Sequence, residues 1–184
     1  MAGRGLSIAL AGILALEYAN PGLEEAAAAC ANEDARPSEI SSAQAAAAVV
    51  CAMNEERTSR GMRALKPNRG LTNAARAHTR YMVDRDCFLH KCPGEDDLVG
   101  RVFDTSYLPC RSCSWGLGEN LAWGSQSAGT PRAIVDSWMK SKGHRHNLLN
   151  RKYRDVGMGV RPGSPTAAQR PDSMTYTADY GFKK

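Results

Sequence analysis

The apolar residues of this chain recur with a helical period through its first half and with a period of two at its C-terminal end. That change limits the chain to a mixed fold with separate helical and strand segments. Ser41 and Gln44 form a capping-box pair ahead of Ile40, Ala43, Ala47, Val50 and Cys51, which predicts a first helix running to about Arg60 and stopping at Gly61. Lys66-Pro67-Asn68 reads as a turn whose asparagine caps a second helix, with Leu71, Ala74, Ala75, His78 and Met82 on its apolar face. Residues 86–114 lose the pattern and read as loop, apart from a short helix over 97–103. Residues 120–123 read as a short strand. Thr130-Pro131 then opens a helix that buries Ile134, Val135, Trp138 and Met139; Gly143 ends it, and His144 lies just beyond. Val156, Met158 and Val160 alternate with other residues, and so do Met174, Tyr176, Ala178 and Tyr180; the Pro, Gly and Ser-rich stretch 161–172 connects these two strands. Helices followed by a helix and antiparallel strands give an α+β domain.

Six cysteines in 184 residues suit an oxidising compartment better than the cytosol. Arg4 precedes an apolar run over residues 6–16, which has the length of a signal-peptide core and is too short to span a bilayer. Ala27-Ala28-Ala29 suits a signal peptidase, although Glu17, Glu24 and Glu25 intervene. Residues 1–29 are therefore expected to be a signal peptide or leader, 30–50 a lead-in, extended over 30–37 and ending at Pro37, with the start of the first helix, and 51–184 the main domain. The mature chain is expected outside the cell or in the envelope, as a monomer with no membrane span. Its formal charge is +5, and loss of one arginine and three glutamates with the leader makes it more basic still. Such a protein favours anionic surfaces. No aromatic–basic interleaving accompanies the charge, so nucleic acid is not an expected partner.

Two stretches carry the chemistry. Gly118-Glu119-Asn120-Leu121-Ala122-Trp123 supplies an acid, and Ser137 to Arg145 contains Trp138, Ser141 and His144. His90 lies upstream. An acid and two imidazoles can share one polar cleft or one metal ion. The order His, Gly-Glu-Asn, then Trp-x-x-x-x-x-His resembles the CAP superfamily, the SCP-like domains of cysteine-rich secretory and pathogenesis-related proteins. Met53-Asn54-Glu55-Glu56-Arg57, Gly61 to Leu65, Phe88-Leu89-His90, Val156 to Val160 and Tyr176 to Gly181 extend the likeness over residues 51–182, in the pattern of its bacterial branch. The resemblance implies a three-layer α-β-α sandwich around a small, largely antiparallel sheet, with a cleft lined by two histidines and two glutamates. His90, Glu119 and His144 match three of the four; Ser141 stands where the second glutamate falls.

The resemblance also implies a ligand-binding cleft of His90, Glu119, His144 and Ser141. His90 and His144 are its candidate ligands for zinc or another divalent ion, with Glu119 a further donor. Relatives are implicated in binding amphipathic molecules and in contacts at cell envelopes, so a small amphipathic ligand or an anionic envelope component is the expected partner. A metal-dependent hydrolase using His90, Glu119 and His144 is the alternative, weakened by the loss of a second carboxylate that could act as base. A purely structural envelope protein is a third reading. Glu119 acts either in the cleft or as a buried acid holding two loops together. His78, on an apolar helix face, reads as a structural histidine, and His146 as exposed. Cys30 is expected to pair with Cys51. Cys87, Cys92, Cys110 and Cys113 are expected to form two further bonds near His90, in preference to a four-thiolate zinc site.

Overall fold

The computed structural model describes Met1 and residues 30–184 except Pro109 and Arg111. The expected leader, Met1 aside, lies outside the described residues. A 3-10 turn at Pro37–Glu39 leads into α1, Ser42–Thr58. Then come β1 (Lys66–Pro67), α2 (Arg69–Asp84), α3 (Leu98–Phe103), β2 (Trp115–Ser125), α4 (Pro131–Lys140), α5 (Lys142–Leu148), β3 (Asp155–Pro162) and β4 (Ser173–Lys183). The caps are those anticipated: Ser41 with Gln44 at α1, Asn68 at α2 and Thr130 at α4. None of the helices among the described residues is long and apolar enough to cross a membrane.

The strands form one sheet in the order β1-β3-β4-β2, antiparallel except where β1 runs parallel to β3. Cross-strand partners share a face, so side-chain parity sorts the two layers packed against it. Val156, Met158, Met174, Tyr176, Ala178 and Tyr180 join Val49, Met53, Ile134 and Trp138 in the principal core, which places α1 and α4 on that face. Gly157 and Gly159 point the other way, onto α2. A Cβ on Gly159 would lie 2.2 Å from the Ala75 carbonyl oxygen, and one on Gly157 2.0 Å from the carbonyl carbon of Leu71. These glycines let α2 lie directly on β3. Thr177 hydrogen-bonds Thr79 of α2 at 2.7 Å on this second face. The molecule is the three-layer sandwich that was expected.

Four local readings need correction. Lys66-Pro67 is a two-residue strand pairing with Asp155 and Val156, not simply a turn. Residues 30–34 form turns where an extended lead-in was expected. The short strand at 120–123 is the middle of an eleven-residue strand, β2, whose Gly116, Gly118 and Gly124 hide its period. Gly143 does not end the helical region: Ser141 interrupts it, and His144 sits inside α5.

β2 is an edge strand, and its outward carbonyls are covered. Tyr153 donates its hydroxyl to Leu117 (2.9 Å), Asn147 donates to Glu119 (3.0 Å) and Trp138 donates its indole N–H to Leu121 (3.1 Å). Side chains from α4, α5 and the loop after it thus satisfy an edge that would otherwise template another strand.

The disulfides are Cys30–Cys51, Cys87–Cys92 and Cys110–Cys113. The first spans 21 residues and the second five. Loop-closure entropy therefore makes the first worth about 1 kcal/mol more. The short links fix local geometry more than global stability. Cys30–Cys51 holds the lead-in against α1, and Arg132 of α4 reinforces it by pairing with Glu33 and, at 2.6 Å, with Glu55.

Replacing Gly159 with alanine should push α2 off β3 and cost about 1–3 kcal/mol. In a domain of this size that lowers Tm by several degrees. An unchanged midpoint in thermal unfolding would contradict the packing described.

Candidate functional site

The site forms where two layers meet around the edge of β2. From the α2 side comes the loop after α2, closed by Cys87–Cys92, with Cys92 buried against Met82 and Leu121. His90 sits on this loop and is 63 % exposed. From the other side comes α5, carrying His144. Its placement rests on two asparagines: Asn120 donates to the His144 carbonyl (3.0 Å), and Asn147 donates to Asn120 (3.0 Å) and to the Glu119 carbonyl. The amides therefore tie α5 to β2.

Glu119 lies between the layers and is nearly buried. One of its oxygens is 2.7 Å from His90 Nδ1, and the other accepts from Arg101 Nη2 at 2.6 Å. Arg101, on α3, also donates to the carbonyls of His90 (3.1 Å) and Asp96 (2.9 Å). One guanidinium thus neutralises the acid and fixes the backbone of the residue that the acid orients. Behind them His78 is fully buried; its Nδ1 lies 2.7 Å from Glu95, and its Nε2 lies 3.8 Å from Glu119 with no hydrogen-bond partner. The expectation of a satisfied structural histidine holds for one of its nitrogens. Asp179 is the cross-strand neighbour of Glu119, wholly buried, with neither oxygen paired to a donor.

These surroundings set the charges. Burial works against the Glu119 charge, but the His90 hydrogen bond and Arg101 outweigh it and hold the carboxyl below its ordinary 4.5. The bond to Glu119 raises His90 above 6.5. Burial, then the charge on His90, lowers His144. Burial also lowers His78, with Arg101 adding to the effect. Asp179 is driven well above the carboxylate range by burial and by Glu119, so it keeps its proton. Two adjacent buried carboxyls thus divide into one ion and one neutral acid.

The cleft has a volume of about 1000 Å³ and brings together all four expected residues: His90, Glu119, Ser141 and His144. His146 is exposed, as expected, and also lines it, as do Lys142, Arg145, Asn147, Leu149 and Arg151. Glu119 bonds His90 and Arg101 but not His144, so a Ser141–His144–Glu119 relay is not assembled. As for a metal, the His90 Nδ1 to carboxylate bond leaves Nε2 unengaged, the backing usual for a ligating imidazole. His144 is the second imidazole. Among the described residues the only set of three such side chains within 4.8 Å of one another is Cys30, Cys51 and Glu55, where both sulfurs are in a disulfide, so His90, Glu119 and His144 are not drawn together into one such set. Both imidazoles line the same cleft.

Sequence reasoning missed Arg101, Glu95 and Asp179. The first two lie in the stretch read as weakly patterned, and Asp179 follows the alternation of an ordinary strand. One signal was available for Arg101: a buried Glu119 requires a nearby cation.

His90 should titrate above 6.5 and His144 below it when ring resonances are followed by NMR, and Glu119→Gln should bring His90 down. Because His90 is raised, its stabilising contribution is complete below 6.5 and is lost as pH rises through its folded value. Glu119 is lowered, so its contribution is present above 4.5 and lost as pH falls through its folded value. A His90 that titrates below His144 would contradict this network.

The model of the cysteine-rich secretory protein family, CAP, matches residues 50–180. Among curated proteins, the uncharacterized protein YkwD of Bacillus subtilis (strain 168) is 35% identical over 119 residues, covering 63% of this chain and 42% of that protein. The chain therefore spans less than half the length of this relative. An extracellular protein containing a SCP domain from Bacillus anthracis str. Ames superposes with a TM-score of 0.61 at 22% identity, over 78% of this chain and 41% of that one. An outer surface protein from Borrelia burgdorferi gives 0.63 at 16% identity, over 79% and 97%. Both likenesses are of fold. The family match spans most of the chain and includes Glu119 and both cleft histidines: the chain belongs to the CAP family.

Proposed function

We propose that this CAP domain works outside the cytoplasm as a binding module whose cleft takes a small anionic, amphipathic molecule or an anionic envelope component. Three disulfides, with relatives described as extracellular or outer-surface proteins, support the location. The observation that carries the binding reading is the charge of the walls. Lys142, Arg145 and Arg151 line the cleft beside His90 and His144, while its one lining carboxylate, Glu119, is already neutralised by Arg101. Such a concave cationic surface attracts anions. Leu149 supplies an apolar contact for the body of an amphipathic ligand.

Binding is favoured over turnover by the state of the same acid. Both oxygens of Glu119 are engaged, and Ser141 stands where a second acid would face the cleft. A general base needs a free lone pair and a suitable pKa; Glu119, held below its ordinary value, is a weak one. A divalent ion such as zinc would be held by His90 and His144, where it would supply Lewis acidity toward a ligand oxygen. Around it, Glu119 orients the His90 ring, and Arg101 keeps Glu119 charged. The domain acts as a monomer in this reading.

Octyl phosphate, below its micellar concentration, should shift amide resonances of residues 141–147 saturably, and Lys142→Ala with Arg145→Ala should weaken that binding about tenfold or more. A chromogenic ester should show no turnover that depends on Glu119. Turnover abolished by Glu119→Gln would replace this reading with the hydrolase, and an unresponsive cleft would leave a structural envelope role.

A further inference from the structure

Arg57 is fully buried in the last turn of α1, yet its partners are all carbonyls: Arg63 (2.9 Å), Leu148 (2.7 Å), Asn150 (3.2 Å) and Tyr153 (3.4 Å). Carbonyls satisfy its hydrogen bonds without cancelling its charge. A buried cation is ordinarily paired with an anion. Three more guanidiniums surround it. Arg57, Arg63, Arg151 and Arg154 wall a cavity of about 310 Å³ together with Gly61 and Met62. None of the four makes an ion pair among the described residues, whereas Arg60 beside them takes Glu56 at 2.6 Å. The side chains of Arg63 and Arg151 make no hydrogen bond there either.

The backbone builds this concentration of charge. Gly61, at φ 64°, turns the chain after α1 and lets the Met62 amide return to the Arg57 carbonyl at 3.0 Å, which brings Arg63 to the cavity wall. Arg154 folds over its own loop, donating to the carbonyls of Arg151 (2.5 Å), Lys152 (3.2 Å) and Tyr153 (2.9 Å). Burial lowers the Arg57 pKa against the opposing influence of Tyr180, and the charges of Arg154 and then Arg151 lower it further. The like charges therefore repel one another as they stand.

We infer that this cavity is a second binding site, for a phosphate-type oxyanion. Guanidinium groups match a phosphate by parallel N–H···O bonds, and an anion seated among Arg63, Arg151 and Arg154 would relieve their mutual repulsion. Arg57 lines the site and would act on the ligand chiefly through its charge, since four of its five N–H groups are committed to carbonyls. The site does not depend on the histidine cleft. Arg151 lies on the wall of both cavities, so an extended anionic chain bound at one would pass the other.

The test is an NMR titration of the oxidised protein with inorganic pyrophosphate, alongside flotation with phosphatidylglycerol vesicles. Pyrophosphate should shift the amides of Met62, Arg63, Arg151 and Arg154 saturably. Arg63→Ala should weaken binding about tenfold, and Arg63→Ala with Arg154→Ala should abolish it. His90→Ala should leave it unchanged, which separates this site from the cleft. The Arg63 side chain makes no hydrogen bond or ion pair among the described residues, so its removal does not threaten their fold. Arg80→Ala with Lys140→Ala, which removes the same charge elsewhere, is the control. Vesicle binding lost in Arg63→Ala, without pyrophosphate binding, would assign the phosphate to a lipid headgroup. Pyrophosphate binding alone would assign it to a free or polymer phosphate. Equal weakening in the control pair, or undiminished affinity in Arg63→Ala, would overturn the site.

Discussion

The site depends on the ion pair between Arg101 and Glu119. Both side chains are at least 95 % buried, and their oxygen and nitrogen lie 2.6 Å apart. An exposed pair such as Arg36–Glu39 contributes about 0–1 kcal/mol, because water and salt screen it. Breaking a buried pair by removing one partner costs about 3–5 kcal/mol, since the other charge is left stranded. That asymmetry makes Arg101 a fixed part of the architecture. It also explains the division of labour around it. With Glu119 kept ionised, His90 gains a base for its inner nitrogen and holds its proton more tightly, and Asp179 beside it keeps its own, while burial and Arg101 lower His78 against the pull of Glu119.

The sheet edge decides where the cleft can form. A central strand has helices on both faces and ladder bonds on both sides. β2 has one free side, and loop and helix can meet there from opposite layers. Trp138, Asn147 and Tyr153 cover the edge carbonyls, so the motif residues that frame the histidines are mainly structural. Glu119 belongs to both worlds: its backbone oxygen is part of the covered edge, and its carboxylate organises the cleft.

Much of this was legible in the sequence because it rests on local rules. Caps at Ser41, Asn68 and Thr130 follow from side-chain oxygens satisfying free N–H groups, and the apolar face of α2 follows from its period. Cys30–Cys51 was anticipated as the tie between lead-in and first helix. The length of β2 was not legible, because glycines carry no hydrophobic signal and are present to admit neighbours such as Tyr153, whose hydroxyl would lie 2.4 Å from a Cβ on Gly118. The place of His144 was missed because Gly143 is usually a stop, and here it is an ordinary residue of α5. Family motifs gave His90, Glu119 and His144, but their supports lie elsewhere in the chain. Arg101 comes from α3 and Asp179 from the neighbouring strand, and only the folded topology brings them to Glu119. Neither period nor motif spacing encodes that meeting.

The central claim is that Arg101 and Glu119 act as one buried unit on which the cleft is built. A double-mutant cycle of Arg101→Met and Glu119→Gln, read by urea denaturation of the oxidised protein, tests it directly. This account predicts that each single change costs about 3–5 kcal/mol and that the double variant loses much less than the sum, because no charge is left stranded. Additive losses would mean that the two side chains act separately, and the cleft would need a different foundation.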